Sequence, residues 1–370
     1  MSKRTKLFKR KHPYDTENSN DLFFQAMKEN CIFQYRNCPD YKRILDQMNF
    51  DPESLKSYED LRNIPFIPTL YFKHHQVFSM RGRRMLIKAT SSGTSGKKSY
   101  MGFNFMSLYR GMRMLLKIGK YHHLFSLKPA HFVVFGYEPS KDNEMVFAKS
   151  AYGFTFFSPA LSKTFALKRT KEGYRLDLEC IKKKFIECSK SKYPVRTAGF
   201  PSYTYFLLKS MKEEGLRVKL PKGSILTLGG GWKQFYSQKI EKKDFYRLVE
   251  EVLGIDENHI IEFFSAVEHP ILYTDCRFHH FHIPVYSRVI IRDPDTLLPV
   301  ENNRIGLINL LTPMVDSVPV LSVMTDDLGI LHTEPCPCGL PSPYLEVIGR
   351  VGVKDIVTCA AGAQEYLKER

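Results

Sequence analysis

Thr90-Ser91-Ser92-Gly93-Thr94-Ser95-Gly96-Lys97-Lys98-Ser99 is the stretch on which the reading of this 370-residue chain turns. It is a loop of small residues, dense in hydroxyls and glycine, that closes on two lysines. Such a loop offers unobstructed backbone N–H groups, rotatable O–H donors and cationic charge, the donors that the oxygens of a triphosphate need. The Gly-x-x-x-x-Gly-Lys-Ser/Thr spacing of a Walker A loop is absent. On composition alone the segment also reads as a flexible Ser/Gly linker. Its flanks count against the linker: Met85-Leu86-Ile87-Lys88-Ala89 suits a strand, and Phe105 to Ile118 suits a helix. A glycine turn from strand to helix is where α/β proteins hold phosphates.

The bulk properties are those of a globular chain, with 43% apolar and 25% charged residues, long enough for about two domains. No run of eighteen apolar residues occurs, so no membrane span is expected. The basic start, Met1 to Lys11, lacks the apolar region of a signal peptide and reads as a solvated tail; a cytoplasmic protein is expected. The net charge of +16 is spread over short clusters at 81–88, 163–173, 181–193 and 238–243. With one tryptophan and no RNA-recognition or helix-turn-helix signature, the charge points to a nucleotide and an acidic partner rather than to nucleic acid. Cys31, Cys38, Cys180 and Cys188 sit among apolar or amphipathic residues and read as structural thiols.

Residues 13–60 read as helical, and Ile64-Pro65-Phe66-Ile67-Pro68 as an extended connector. From 85 to 265, strand candidates (His131 to Gly136, Ser224 to Leu228, His259 to Phe264) alternate with helical segments (Leu176 to Cys188, Tyr203 to Lys212, Tyr236 to Leu253). That alternation predicts an α/β fold with a mostly parallel sheet flanked by helices. Beyond 270 the strands shorten (Val285 to Ile291, Ile305 to Leu311, Val320 to Met324), which predicts a small β module. The organisation expected is a core over 1–270, a β module over 271–350 and a tail over 351–370. Tyr152-Gly153-Phe154-Thr155-Phe156-Phe157-Ser158-Pro159 reads either as lining for an acyl tunnel or as a buried strand.

Several further constellations carry chemistry. Leu226-Thr227-Leu228-Gly229-Gly230-Gly231-Trp232-Lys233 is a strand ending in three glycines, where a base or phosphate can approach the backbone, although a tight turn is the alternative. Phe263-Phe264-Ser265-Ala266-Val267-Glu268-His269 ends another strand with an aromatic suited to stacking and a carboxylate suited to magnesium. Thr325-Asp326-Asp327-Leu328 and Gly349-Arg350 add groups suited to ribose and phosphate oxygens. Cys276, followed by His279, His280 and His282, precedes Cys336-Pro337-Cys338-Gly339; two close sulfurs and a distant Cys/His pair can complete a tetrahedron. Cys276, His282, Cys336 and Cys338 are the expected ligands of a structural zinc ion, with His280 as the alternative histidine.

In this order the motifs resemble the adenylate-forming enzymes. Within that superfamily the chain resembles the acyl-protein synthetases of bacterial fatty-acid reductase complexes, the LuxE type. The narrower match rests on Ile67-Pro68-Thr69-Leu70-Tyr71-Phe72-Lys73, Ser91 to Gly96, Gly199-Phe200-Pro201-Ser202-Tyr203, Gly229 to Lys233, Arg292-Asp293-Pro294-Asp295-Thr296-Leu297, Val323 to Asp327 and Thr358-Cys359-Ala360. The resemblance implies the large N-terminal domain of that superfamily without its mobile C-terminal domain. It assigns Ser91, Ser92, Gly93, Thr94, Ser95, Gly96 and Lys97 to the phosphates of ATP, and Gly229, Gly230, Gly231 and Trp232 to the adenine region. Phe264 joins the nucleotide site, Glu268 would hold Mg2+, Asp327 the ribose, and Arg350 the ribose or phosphate. Cys359 would receive the acyl group, with Lys233 and Arg350 as further catalytic candidates. Many superfamily members end the phosphate loop in Pro-Lys, where this chain has Lys98-Ser99. Lys354 and Arg350, near in sequence, are candidates to lower the Cys359 pKa.

The activity implied is ATP-dependent activation of a long-chain fatty acid as acyl-adenylate, transfer to Cys359, and delivery to an acyl reductase partner within a complex. Two other readings remain at this stage. One is an acyl- or aryl-CoA ligase of the phenylacetate type. The other is a basic zinc protein that binds nucleic acid, which leaves the 90–99 loop and Gly229 to Lys233 unexplained.

Overall fold

The computed structural model describes residues 1–80, 85–90, 99–140, 143, 145–232, 235 and 238–350. Helix α1 (Lys3–Phe8) opens the chain, its N-cap Ser2 accepting from the Thr5 N–H. Leu7 and Phe8 are buried, and Arg4 pairs with Asp316. The N-terminus is therefore not the solvated tail expected. Its basic residues are spaced so that one helix face is apolar, a pattern that charge counting overlooks. Helices α2 (Asn20–Asn37) and α3 (Pro39–Gln47) follow, then β1 (Ile67–Pro68) and α4 (Thr69–His74).

The Ser/Thr/Gly loop is bracketed by β2 (Ile87–Thr90) and β3 (Tyr100–Phe103), which pair antiparallel from Ile87↔Phe103 to Thr90↔Tyr100. The loop thus joins two strands of a ribbon. The helix expected after it, α5 (Phe105–Tyr121), starts only after the second strand, where the Asn104 side chain accepts from the Ser107 N–H.

The chain packs as two compact units. The described residues of 123–264 form one of them. It contains β4 (Ala130–Tyr137), α6 (Val146–Phe154), β5 (Ala160–Thr170), β6 (Gly173–Leu176), α7 (Leu178–Ser189), β7 (Val195–Gly199), α8 (Pro201–Glu213), β8 (Ile225–Gly229) and α9 (Lys242–Leu253), and ends in β9 (Ile260–Ala266). Strands run β9-β8-β7-β4-β5-β6, all neighbours parallel except the β5–β6 hairpin. The central strand β4 is buried on both faces, as helix-covered parallel strands are. Phe185, Leu207, Leu208, Val249 and Val252 from α7, α8 and α9 pack in the same core as Val133 and Phe135.

One of two alternative readings fails here. Tyr152-Gly153-Phe154 closes α6 and does not form a strand; Phe156 beyond it is 65% exposed, and β5 begins only at Ala160. The basic run 163–173 is itself most of a β-hairpin: the alternation of buried and exposed residues is too weak in Lys163-Thr164-Phe165-Ala166-Leu167-Lys168 to be read without its partners.

The other unit gathers the described residues of 1–90 and 99–122 with 265–350. The N-terminal helices thus belong with the C-terminal strands, whereas the sequence reading placed 1–270 together. Its strands are β10 (His269–Thr274), β11 (Phe281–His282), β12 (Arg288–Arg292), β13 (Ile305–Leu311), β14 (Ser322–His332) and β15 (Tyr344–Arg350). Strands β11 to β15 form an antiparallel sheet in the order β11-β15-β14-β13-β12, and β1 pairs parallel with β14 through Ile67↔Val323 and Pro68↔Met324. Residues 285–287 form a turn before β12, where a strand start was expected, and β14 extends well past Met324. Asp316 ties the unit together. It accepts from Arg110 Nη1 at 2.7 Å, from Arg4 Nη1, and from Asn104 Nδ2 at 3.2 Å.

Candidate functional site

Two turns build a cluster of soft ligands in the unit that holds the β14–β15 ribbon. The first turn leaves β10: the Cys276 N–H donates to the His280 carbonyl, and the His279 N–H donates back to Cys276 O at 2.7 Å. His279 takes a left-handed φ of 59° to close it. The second turn, Cys336-Pro337-Cys338-Gly339, joins β14 to β15. The Gly339 N–H donates to Cys336 O at 3.0 Å with φ at 86°, a conformation that glycine adopts without strain. His282 comes from β11, held opposite Tyr344 of β15.

The ligand atoms of Cys276, His282, Cys336 and Cys338 all lie within 4.8 Å of one another. Cys276 Sγ and Cys336 Sγ are 3.8 Å apart, and Cys338 Sγ lies 3.2 Å from His282 Nε2. Two Zn–S bonds of about 2.3 Å at a tetrahedral angle span about 3.8 Å, so the sulfur spacing is that of ligands around one ion. Two backbone N–H groups point at the sulfurs, from Phe278 to Cys276 and from Leu340 to Cys338, each at 3.4 Å. These donors stabilise thiolate over thiol.

His282 is oriented for the same task. Its Nδ1 lies 3.0 Å from both the carbonyl and the hydroxyl of Ser342, and donating its proton to that carbonyl leaves Nε2 with a free lone pair toward Cys338. His280 is placed differently. Its ring stacks on Tyr344 (4.1 Å, 4°), and its Nδ1 sits 3.2 Å from Cys336 Sγ, within hydrogen-bonding reach of the sulfur. Burial lowers the His282 pKa to about 4, keeping the imidazole neutral, and raises Cys338 to about 12 and Cys276 above its ordinary value. Three crowded sulfurs and a neutral histidine in a half-buried site fit a divalent cation of zinc type, whose charge would offset the thiolates. Ser342, Phe278 and Leu340 escaped the sequence reading. The Cys-x-Cys-Gly-Leu spacing was the available signal for Leu340, because the amide two residues after a cysteine reaches its sulfur.

The nucleotide candidates divide between the units. Gly229 ends β8; Gly230 and Gly231 follow at φ of 78° and 67°. A Cβ on Gly230 would fall 2.7 Å from the Phe200 ring, so the close approach requires glycine there. Trp232 is buried in an aromatic cluster with Tyr205 and Phe245, at centroid distances of 5.4 and 6.2 Å. The indole is committed to packing, so the open edge at this strand end is made by glycine backbone. Phe264 lies on β9.

In the other unit, Glu268 is buried in the turn before β10. Asp327 and Arg350 stand opposite each other in the β14–β15 register, beside an irregularity at Leu328/Gly329. The Asp327 N–H donates to Thr325 Oγ1 at 3.2 Å. Ser91 to Lys97, Lys233, Lys354 and Cys359 lie outside the described residues.

Comparison with known proteins agrees with this picture. The family described as acyl-protein synthetase, LuxE, matches residues 7–368. The long-chain-fatty-acid–luciferin-component ligase of Aliivibrio fischeri is 24% identical over 356 residues, covering 95% of this chain and 90% of that protein. The Vibrio harveyi protein of the same name is 24% identical over 350 residues, covering 94% and 88%. A phenylacetate-coenzyme A ligase of Thermus thermophilus is 23% identical over 326 residues, covering 85% of this chain and 66% of its own length. Among solved structures, 2-hydroxyisobutyryl-CoA ligase with 2-HIB-AMP superposes with a TM-score of 0.68 at 14% identity, over 92% of this chain and 70% of that one. The fold is that of adenylate-forming ligases, mixed α/β with parallel and antiparallel sheets. With the family match running through nearly the whole sequence, this chain is a ligase of the LuxE acyl-protein synthetase family.

Proposed function

We propose that the protein uses ATP and Mg2+ to activate a long-chain fatty acid, carries the acyl group on Cys359, and passes it to an acyl reductase. The observation that carries this reading is the family match, whose span includes Cys359. A carboxylate is a poor electrophile because oxide is a poor leaving group. In the proposed reaction a carboxylate oxygen attacks the α-phosphorus of ATP and diphosphate leaves. The Cys359 thiolate then attacks the acyl carbon, the C–O bond to AMP breaks, and a thioester remains. The 91–97 loop would hold the phosphates, with Glu268 placing the Mg2+ that neutralises them. The glycine end of β8 would admit the base, with Phe264 nearby in the same unit. Asp327 and Arg350 would take the ribose and phosphate oxygens, and Lys233 is a further catalytic candidate. We assign the Cys276, His282, Cys336 and Cys338 cluster to a structural zinc ion: four protein ligands leave no open position for substrate.

The test is acylation of purified protein with labelled long-chain fatty acid, with and without ATP and magnesium, for wild type and Cys359→Ser. ATP-dependent label that neutral hydroxylamine releases, absent from the variant, is the expected result. The likeness to a phenylacetate-coenzyme A ligase favours one second reading, thioester formation on coenzyme A. Diphosphate release without protein label, coupled to acyl-CoA formation, would replace the first reading by the second.

A further inference from the structure

Strands β4, β5, β7 and β8 run parallel, so the loops leading into them collect at one end of their sheet, away from the glycine end at Gly199 and Gly229. These loops are 123–129, 155–159, 190–194 and 214–224. Together they carry Lys128, Lys190, Lys192, Lys219 and Lys222, and Lys163 sits near the start of β5. Their one carboxylate, Glu214, meets Lys182 at 2.9 Å, and their one arginine, Arg217, meets Glu251 at 2.7 Å. The same end exposes large apolar side chains. Leu127 is 96% exposed, Phe156 65%, Leu161 47% and Phe125 36%. Phe125, Leu127 and Phe156 rim an open concavity of about 720 Å³. Lys163 Nζ lies over the Phe156 ring at 4.2 Å and over Tyr152 at 4.9 Å.

This surface is built rather than frayed. The Ser126 N–H donates to Phe157 O at 3.0 Å, and the Ala130 N–H to Pro159 O at 2.9 Å. His131 bridges the neighbouring loops through Ser162 Oγ at 2.8 Å and Ser191 Oγ at 3.2 Å. Leu127 is therefore presented to solvent by a tied loop. Single exposed apolar residues need no explanation, but a contiguous group ringed by one sign of charge does. Acidic groups near this end are paired with lysine or lie toward the far edge of the sheet. Glu187 is engaged by Lys184 at 2.7 Å, and Asp256 and Glu257 lead into β9, at the far edge of the sheet from β5.

We propose that this end of the sheet docks on an anionic bilayer surface, Leu127 and Phe156 entering the acyl boundary while Lys128, Lys163, Lys190, Lys192 and Lys222 face the headgroups. Apolar tips within a basic ring are what interfacial binding requires. The excess of lysine over arginine in these loops supports lipid over a protein partner, because lysine acts as a point charge, whereas arginine supplies the fork that pairs with fixed carboxylates, as Arg217 already does with Glu251. No helix of the described residues is long and apolar enough to span a membrane, so the contact is peripheral. Its use rests on the proposed function, since long-chain fatty acids partition into bilayers; the docking itself does not.

The experiment is co-sedimentation of the full chain with phosphatidylcholine vesicles, with and without phosphatidylglycerol, at low and high salt. Binding to anionic vesicles that weakens with salt is expected. Leu127→Ser/Phe156→Ser should weaken it by at least about tenfold. Lys128→Gln/Lys190→Gln/Lys192→Gln/Lys222→Gln should weaken it by about fivefold per lysine. All six positions are exposed, and unchanged thermal midpoints check that the variants fold. Failure of the wild type to bind anionic vesicles overturns the proposal. So does binding that the apolar variant leaves intact, which would reassign the lysines to an acidic protein. Vesicle binding is read without catalysis, so a protein that docks yet transfers no acyl group would refute the enzymatic reading alone.

Discussion

Asp316→Asn removes one negative charge from the most buried ionic contact of the described residues. The Asp316 side chain is 8% exposed, and its partners Arg4 and Arg110 are 9% and 2% exposed. Arg110 otherwise donates to a neutral acceptor, Met314 O, at 2.9 Å, and burial already lowers its pKa. An asparagine can keep Oδ1 toward both guanidinium groups, but its NH2 then faces the Asn104 Nδ2 donor, and both arginines lose their shared negative charge. Breaking a buried pair in this way costs about 3–5 kcal/mol. With an unfolding entropy of about 2.1 cal/mol/K per residue over 370 residues, the melting temperature should fall by about 4–6 °C. Glu29→Gln is the internal control: Glu29 meets Arg4 Nε at 2.9 Å but is 29% exposed, so its loss should cost under about 1 kcal/mol. Urea denaturation followed by circular dichroism reads both variants. An Asp316→Asn protein within about 1 kcal/mol of wild type would refute the claim that this carboxylate compensates two buried charges.

Gly230→Ala should lose about 1–3 kcal/mol, because φ is 78° and the new Cβ meets the Phe200 ring, which is stacked on Phe147 at 3.8 Å and cannot swing away freely. Gly231→Ala, with φ at 67° but open space around its Cβ, should lose less; equal losses would mean that the ring contact is immaterial. Elemental analysis of wild type should find about one zinc per chain, and Cys338→Ser should release it and destabilise the β14–β15 end; metal-free wild type of full stability would remove the zinc assignment. His269 is fully buried, and burial lowers its pKa to about 3. The unfolded chain therefore binds the extra proton between about pH 3 and pH 6.5, and stability falls as pH falls through that window. The histidine contributes about 2 kcal/mol of the loss between pH 8 and pH 5, a slope that His269→Gln should flatten in pH-dependent denaturation.

Much of the candidate site was legible because its signals are local. The Cys-x-Cys-Gly turn and the histidines after Cys276 announce soft ligands wherever they fold, and a strand ending in three glycines is bare backbone in any context. The βα alternation predicted the parallel sheet for the same reason: strand and helix periods are written within a few residues. Other features were misread because they depend on distant partners. Met1 to Lys11 looks like a tail until Asp316, more than three hundred positions away, supplies the carboxylate for Arg4. The run from Lys163 to Gly173, read only as a charge cluster, also holds a strand because β4 pairs with it as far as Leu167.

The sequence by itself determined the superfamily order of motifs, the parallel α/β layer and the candidacy of three cysteines as soft ligands, since residue type and short-range spacing suffice for each. Only the tertiary structure separates the surroundings of His282 and His280, with Ser342 accepting from one imidazole and Tyr344 stacked on the other. It also decided that Trp232 is packed among Tyr205 and Phe245, and that three lysine-bearing loops far apart in sequence share one end of a sheet. Burial, tautomer and surface charge are properties of neighbours, and neighbours are set by packing across hundreds of residues.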